Sequence, residues 1–256
     1  MEKFKNYRFF ILSAILFFLV IAFLKFNKGK ETDIQVTKGT IVEAVYGLAT
    51  IQASNVFHLR IAVPAVITKS FVKQGDNVKK GTNLVSFDSF GIMKTPIDGV
   101  VTKFTYETGE LVTPQSPILT VMDLKDRYLT VSLEEKAAVK VKPGQFVRIR
   151  FEALGNTIYP GSVESVYPTD GQFEVKVIAK DLPKELLPGM SADIAIETSK
   201  KENVLLVPAK SIQNGTIRLN RDGKITSTNI KTGISSGDTV EILEGDIKEG
   251  DFVKIP

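Results

Sequence analysis

Cysteine is absent from this 256-residue chain, and histidine occurs only once, at His58. The lack of thiols excludes disulfides, zinc fingers and thiolate nucleophiles. His58 lies in VFHLRIAV, a stretch typical of a β-strand, which favours a structural or surface role for this side chain. The sequence therefore predicts no catalytic, cofactor-binding or metal-binding residues, and we expect a protein that is not an enzyme.

The chain also has little net charge once its first 30 residues are set aside. Those residues contain six Lys and Arg but only one acidic residue, Glu2, which leaves 27 basic and 28 acidic residues in the remainder. Nucleic-acid-binding domains usually have a basic excess on one face. The main body is close to neutral, so we expect no nucleic-acid partner.

Residues 9–24, FFILSAILFFLVIAFL, form an apolar run that is interrupted only by Ser13 and flanked by Arg8 and Lys25. A bilayer core requires about 20 residues of helix, a length reached from Tyr7 to Phe26. We predict an uncleaved transmembrane anchor at 9–25, bounded by Phe9 and Leu24, with residues 1–8 in the cytoplasm. A cleaved signal peptide is the alternative, although the run is long for one.

After residue 30 the sequence is typical of antiparallel β structure. Short runs rich in β-branched and aromatic residues, such as QFVRIRF and FEVKVIA, are separated by Gly, Pro, Asn and Asp. The pairs Asn214-Gly215 and Asp222-Gly223 predict tight hairpin turns. A short helix is predicted in SLEEKAAV, where Ser132 would be the N-cap and Glu135 would complete a capping box.

An internal repeat gives more specific information. Residues 65–87 align without gaps with residues 99–121, at an offset of 34. The identical pairs are Val66 and Val100, Thr68 and Thr102, Lys69 and Lys103, Gly75 and Gly109, and Val78 and Val112. Each copy reads as a strand, a turn with a conformationally permissive glycine, and a second strand. Because an isolated hairpin is marginally stable, we expect the two copies to pack together as a flattened sandwich of the biotinyl or lipoyl type.

Such sandwiches carry biotin or lipoate on a lysine, and Met93-Lys94 in GIMKTPIDGVV raises that alternative here. When the two copies are aligned, however, the carrier position falls near Asp88, about six residues before Lys94. No flexible Pro- or Ala-rich tether flanks the sandwich either. Modification of Lys94 is therefore a minor alternative, and no cofactor is predicted.

The order of motifs resembles the periplasmic adaptor family, the membrane fusion proteins of HlyD type. The resemblance covers residues 34–256 and includes VPAVITKSFVKQGDNVKKGTNLVSFD and KTPIDGVVTKFTYETGELVTPQSPILTVMD for the sandwich. It continues with LLPGMSADIAI for a β-barrel and NVLLVPAKSIQNG for a membrane-proximal domain.

The resemblance implies a series of β domains behind the anchor. The expected segments are a linker with N-terminal strands at 26–55, a lipoyl-like domain at 56–123, a β-barrel at 124–200 and a β-rich membrane-proximal domain at 201–256. The family couples inner-membrane efflux transporters, of RND or ABC type, to outer-membrane channels and assembles into rings. The implied location is the inner membrane, with most of the chain in the periplasm, and the hairpin-less form leans towards an RND transporter. A membrane-anchored β scaffold without a transporter remains an alternative.

One feature departs from most of the family, which inserts a long α-helical hairpin between the two halves of the sandwich. Here the connection is only SFGIMK, and no heptad repeat occurs in the chain. We therefore expect a hairpin-less adaptor in which Phe90, Ile92 and Met93 lie at an exposed turn. These apolar residues either fold back over the sandwich or form a contact surface for a channel or a neighbouring subunit.

Overall fold

The computed structural model describes residues 32–114 and 117–255, which consist mainly of β-strands and turns. The strands are β1 (Thr32–Gln35), β2 (Thr37–Ala53), β3 (Val56–Leu59), β4 (Ala65–Ser70), β5 (Asn77–Val78), β6 (Asn83–Phe87), β7 (Gly91–Lys94), β8 (Gly99–Phe104), β9 (Leu111–Val112), β10 (Leu119–Met122), β11 (Arg127–Leu133), β12 (Phe146–Arg150), β13 (Ile158–Thr169), β14 (Gln172–Ala179), β15 (Ser191–Pro208), β16 (Ile212–Gln213), β17 (Thr216–Arg221), β18 (Lys224–Asn229), β19 (Lys231–Ser236), β20 (Thr239–Glu244) and β21 (Phe252–Ile255). Within these residues the helical elements are α1 (Glu135–Ala138) and two 3₁₀ turns, Glu152–Leu154 and Ala209–Ser211. The predicted mainly β fold is confirmed.

The described residues form two compact units. One is Ala44–Ser199, and the other consists of residues 32–43 and 200–255. The first unit contains two separate hydrophobic cores, and the second contains one. The membrane-spanning prediction for Phe9 to Leu24 lies outside the described residues. Within residues 32–114 and 117–255, no helix is long and apolar enough to cross a bilayer.

The repeat folds as two four-stranded sheets, in the orders β3-β10-β8-β5 and β7-β6-β4-β9. Each copy contributes its short strand to the sheet of the other copy: β5 pairs with β8, and β9 pairs with β4. The buried side chains between the sheets include Ile67, Leu84, Val101, Ile118 and Leu119. Neither half can form its sheet alone, because each lacks an edge strand without the other.

Turn geometry repeats along with the strands. Gly75 and Gly109 both have φ of +95°, a region that favours glycine. Ahead of each glycine, a backbone amide donates to the following acidic side chain: Lys73 to Asp76 at 2.8 Å and Glu107 to Glu110 at 3.0 Å. The glycine and the acidic residue therefore form one turn motif that occurs twice at an offset of 34.

The barrel is a closed ring of six strands, in the order β2, β11, β14, β13, β12 and β15, with β15 returning to β2. Closure depends on β12, which pairs with both β13 and β15. Along β12, Val147 and Ile149 point into the core, whereas Arg148 and Arg150 point outwards. This alternation is the period of a strand with one buried face.

The second unit is built around a five-stranded sheet in which β1, β21, β17 and β16 are adjacent and β18 pairs with β17. Its core includes Val36, Ile217, Leu219 and Val253. The two hairpins predicted here are confirmed. The pairs Asn214-Gly215 and Asp222-Gly223 both have positive φ and connect β16 to β17 and β17 to β18, respectively.

The predicted capping box is wrong. Ser132 lies within β11, and its hydroxyl contacts the Gln172 side chain, so it cannot cap a helix. Helix α1 instead begins after Glu134, and no side chain caps it. The sequence pattern failed because β11 extends two residues further than the helical pattern allows, which places Ser132 in the sheet pairing with β14.

Candidate interaction surfaces

The connection between the two halves of the sandwich is a tight turn at residues 88–90, which joins β6 to β7. The Asp88 carboxylate accepts a hydrogen bond from the Val66 amide at 3.1 Å and another from the Ser89 hydroxyl at 2.9 Å. The Ser89 hydroxyl and then the Val66 amide lower the pKa of Asp88. At neutral pH this carboxylate is charged and fixes the turn to β4.

The three apolar residues predicted at this turn occupy different positions. Phe90 lies in the turn with 42% of its surface exposed and packs edge-on against Phe87, at 6.1 Å between ring centroids. Ile92 lies in β7 and is 47% exposed. Met93, also in β7, packs partly against the sandwich core and is not at an exposed turn. Side chains alternate along a strand, so Ile92 and Met93 must face opposite ways.

The internal symmetry extends further than the sequence repeat and locates this turn. Strand β3 pairs with β10, with His58 opposite Thr120 and Leu59 opposite Leu119. The residues that correspond to these at the offset of 34 pair in the same way, with Ile92 of β7 opposite Ser86 and Met93 opposite Val85. By the same offset, Asn55 and Asp123, where the chain enters and leaves the sandwich, both correspond to Ser89. Asp123 donates its amide to the Asn55 carbonyl at 3.0 Å. The turn is therefore the pole of the sandwich opposite to the chain connections, and we call residues 88–92 the tip.

Lys94 is not part of the tip. It is the last residue of β7, is exposed, and lies opposite Asn83. In the alignment of the two copies, the position at which a carrier domain would present its lysine falls near Asp88, in the turn. The geometry does not favour a lysine arm at residue 94.

A second surface, on the outer wall of the barrel, was missed by sequence reasoning. It is a groove of about 610 Å³ that includes Tyr46, Arg148, Arg150, Ile158, Asp193 and Ala195 in its lining. Arg150 pairs with Asp193 at 2.7 Å, and Arg148 pairs with Glu197 at 3.3 Å. The alternating FVRIR of β12 signals an outward arginine face, but the neighbouring strands come from distant parts of the sequence.

The groove is mostly apolar with compensated charges. Tyr46 is 70% exposed, Ile158 is 57% exposed, and the adjacent Leu48 is 65% exposed. Exposed apolar groups of this kind often mark contact surfaces. Within residues 32–114 and 117–255, no group of three or more potential ligand side chains is arranged to hold a metal ion.

Proteins that are similar to this chain give independent evidence for its resemblance to periplasmic adaptors. No family model matches the chain. The macrolide export protein MacA of Escherichia coli O157:H7 is 29% identical over 177 residues, which are 62% of this chain and 47% of that protein. The chain thus spans about half the length of the curated relatives it matches.

Solved structures share the fold. The crystal structure of MacA from Actinobacillus actinomycetemcomitans matches with a TM-score of 0.74 at 19% identity, covering 86% of this chain and 98% of that one. ZneB from Cupriavidus metallidurans matches with a TM-score of 0.57 at 18% identity, covering 89% of this chain and 92% of that one. The common fold and the sequence matches confirm that the chain resembles the periplasmic adaptor, or membrane fusion, proteins of efflux systems.

Proposed function

We propose that the chain is a non-enzymatic adaptor subunit that links an inner-membrane efflux transporter to an outer-membrane channel. It acts as an oligomeric ring, is anchored to the inner membrane by residues 9–25, and lies mainly in the periplasm. Its relatives are named as export and membrane fusion proteins, which supports a role in efflux.

The observation that carries this proposal is the tip. It lies at the pole of the sandwich opposite to the chain connections, and it exposes Phe90 and Ile92 instead of burying them. In the monomer these exposed apolar side chains contribute no hydrophobic free energy, because water still covers them. A partner that buries them would gain that free energy. In most adaptors the helical hairpin leaves the sandwich at this position, so the tip is where contact with a channel or neighbouring subunit is expected.

The barrel groove provides a separate surface for a transporter. Its apolar floor and flanking ion pairs resemble a protein interface, in which an apolar centre is surrounded by polar groups. In this arrangement the barrel and the second unit contact the transporter, and the tip contacts the channel side. The proposed mechanism is mechanical, because β interfaces and not titrating groups transmit the transporter's motion.

The role in efflux is tested by disrupting the gene and measuring the accumulation of a fluorescent efflux substrate. We expect accumulation to rise and to return to normal with the wild-type chain. The variant Phe90→Asp with Ile92→Asp is expected to be produced and folded but not to restore efflux. Val56→Asp is a matched control, since Val56 is 39% exposed and occupies the position equivalent to Phe90 at the other pole.

The transporter partner is tested by crosslinking in cells followed by purification of the full chain. Recovery of an inner-membrane transporter is expected. A folded and correctly located chain that recovers no transporter would favour the membrane-anchored scaffold instead.

A further inference from the structure

The five-stranded sheet of the second unit has an open edge on each side. Four of its strands lie in the order β1, β21, β17 and β18. Among residues 32–114 and 117–255, β1 pairs only with β21, and β18 pairs only with β17. All four residues of β1 and five of the six residues of β18 are exposed. Each of these two strands therefore presents a side on which another strand can pair.

The hairpin between β17 and β18 determines which backbone groups of β18 are on its open side. The two-residue turn at 222–223 makes the flanking residues, Arg221 and Lys224, a hydrogen-bonded pair. Backbone direction alternates along a strand, so Ile225 and Ser227 direct their amides and carbonyls away from β17. Neither residue has a backbone partner on that side within residues 32–114 and 117–255.

Strand β1 has the matching pattern at the other edge. Val36, directly after β1, donates its amide to the Asp251 carbonyl at 2.7 Å and accepts a hydrogen bond from the Gly250 amide at 2.9 Å. Val36 therefore directs its backbone groups towards the β21 side of the sheet. By alternation, Asp33 and Gln35 direct theirs to the open side.

Nothing in the sequence of β18 protects its edge. Proteins usually prevent unwanted pairing at an edge with prolines, charged side chains or β-bulges. Residues 225–229, ITSTN, include no proline and no charged residue, and the pairing of β18 with β17 has no register shift. Strand β19, the next along the chain, pairs with β20 through two register shifts. The open side of β18 is therefore a regular strand edge that is suited to pairing.

The two edges are complementary in their backbone groups. Only one antiparallel register pairs all four outward residues, with Asp33 opposite Ser227 and Gln35 opposite Ile225. Each of these pairs would exchange two backbone hydrogen bonds. The same register places the Asp33 carboxylate opposite a serine hydroxyl and sets no two like charges opposite each other.

The direction of the strands also fits an arrangement of copies in one orientation. Each neighbouring pair in the order β1, β21, β17 and β18 is antiparallel, so β18 runs opposite to β1. When copies follow one another in the same orientation, β18 of one meets β1 of the next in the antiparallel sense. A contact between two different patches repeats from copy to copy and closes into a ring when the rotation allows. Pairing of β18 with itself would instead leave β1 open in both copies.

We propose that β18 of one copy of this chain pairs with β1 of the next copy, which joins the sheets of the second unit head to tail. The occupant of each edge is a second copy of the chain, and main-chain hydrogen bonds provide the contact. This inference rests on the ring of the proposed function and identifies a surface that holds the ring together.

The absence of cysteine allows a direct test by disulfide trapping. In the proposed register Ile34 lies opposite Thr226 in a non-hydrogen-bonded pair, for which a Cα separation of about 4.5 Å suits a disulfide. Within one copy, three strand spacings separate β1 from β18, a distance of about 14 Å that a disulfide cannot span. Full-length protein carrying Ile34→Cys with Thr226→Cys is oxidised in its native membrane. We expect a ladder of dimers and larger oligomers on a gel without reductant.

A matched control moves one cysteine by a single residue. Ile34→Cys with Ile225→Cys uses an exposed position on the same strand, but its side chain points to the opposite face of the sheet. Its crosslinked yield should be about tenfold lower or less. No ladder from the first pair, or equal ladders from both pairs, would overturn the proposal. Crosslinked dimers from Thr226→Cys alone would also overturn it, because they indicate two-fold pairing of β18.

A second variant tests the hydrogen bonds themselves. Ser227→Pro removes an amide that points away from β17, so the sheet of the single copy keeps all of its bonds and its unfolding temperature should not change. Added to the Ile34→Cys and Thr226→Cys chain, it should reduce the ladder about tenfold, because proline cannot donate to the next copy. A folded variant with an undiminished ladder would contradict pairing through this edge.

Efflux measurements separate this inference from the proposed function. If the chain with paired cysteines restores efflux under reducing conditions but forms no ladder on oxidation, the edge contact is wrong and the adaptor function stands. If the ladder forms but disruption of the gene leaves efflux unchanged, the edge contact is supported and the adaptor function is wrong.

Discussion

Gly75 donates its backbone amide to the carbonyl of Val101 at 2.8 Å, joining the first half of the sandwich to the second. Thirty-four residues later, the amide of Gly109 donates to the carbonyl of Ile67 at the same distance. The two bonds are related by the internal symmetry. Each half of the sandwich is therefore hydrogen-bonded to the other through the turn that contains its glycine.

This symmetry predicts that the two glycines are equally important. Gly75→Ala and Gly109→Ala should each destabilise the sandwich by about 1–2 kcal/mol, because an alanine resists positive φ. Hydrogen exchange of the β4 and β8 amides measures the loss. Lys73→Ala, in the same loop as Gly75, should have little effect. A large effect at one glycine and none at the other would contradict the account.

The second unit contains a nearly buried carboxylate whose charge supports a strand pair. Glu241 in β20 accepts hydrogen bonds from the Lys201 ammonium at 2.9 and 3.0 Å and from the Ile234 amide at 2.9 Å. The Lys201 hydrogen bond is the main cause of the lowered pKa of Glu241. Glu241→Gln should reduce the stability of the β19 and β20 pair by about 1–3 kcal/mol.

The lowered pKa of Glu241 also fixes the direction of the pH dependence. The stabilisation is fully present above the ordinary glutamic acid pKa and is lost as pH falls through the lower, folded-state pKa. Protection of the Ile234 amide should therefore fall only in acid in the wild type, and Glu241→Gln should remove that fall. Glu244→Gln is the control, because its pair with Lys231 is exposed on both sides.

Lys94 is predicted to be unmodified. Intact mass measurement of the protein purified from its native host should match the unmodified chain, apart from any N-terminal processing. Lys94→Arg should restore efflux as well as the wild type does, because the lysine lies outside the tip. An added mass of biotin or lipoate on Lys94 would favour the carrier alternative.

The sandwich was largely predictable because its repeat contains residues with strong conformational or burial preferences. Gly75, Gly109 and the valines that follow them fix turns and buried positions, and these were found from sequence alone. The extension of the symmetry to β3 and β7 was not. Phe57 corresponds to Gly91 and His58 to Ile92, so only the backbone pairing is shared there.

The barrel surface was less predictable for a different reason. The groove combines Tyr46 of β2 with Arg148 of β12 and Asp193 of β15, which are far apart in sequence. These residues are close together only because the ring of strands is closed, and no local sequence pattern predicts that closure. Ser132 shows the same limit, because the local capping pattern was overridden by pairing of β11 in the barrel.

The role of the tip can be tested by site-specific photo-crosslinking in cells that are actively exporting. A photoreactive amino acid at Phe90 should form an adduct with an outer-membrane protein, whereas the same group at Val56 should not. Adducts with the channel at Phe90 alone are the result predicted for an adaptor that contacts its partner through the tip. No outer-membrane adduct at Phe90, or the same adducts from both positions, would contradict that role.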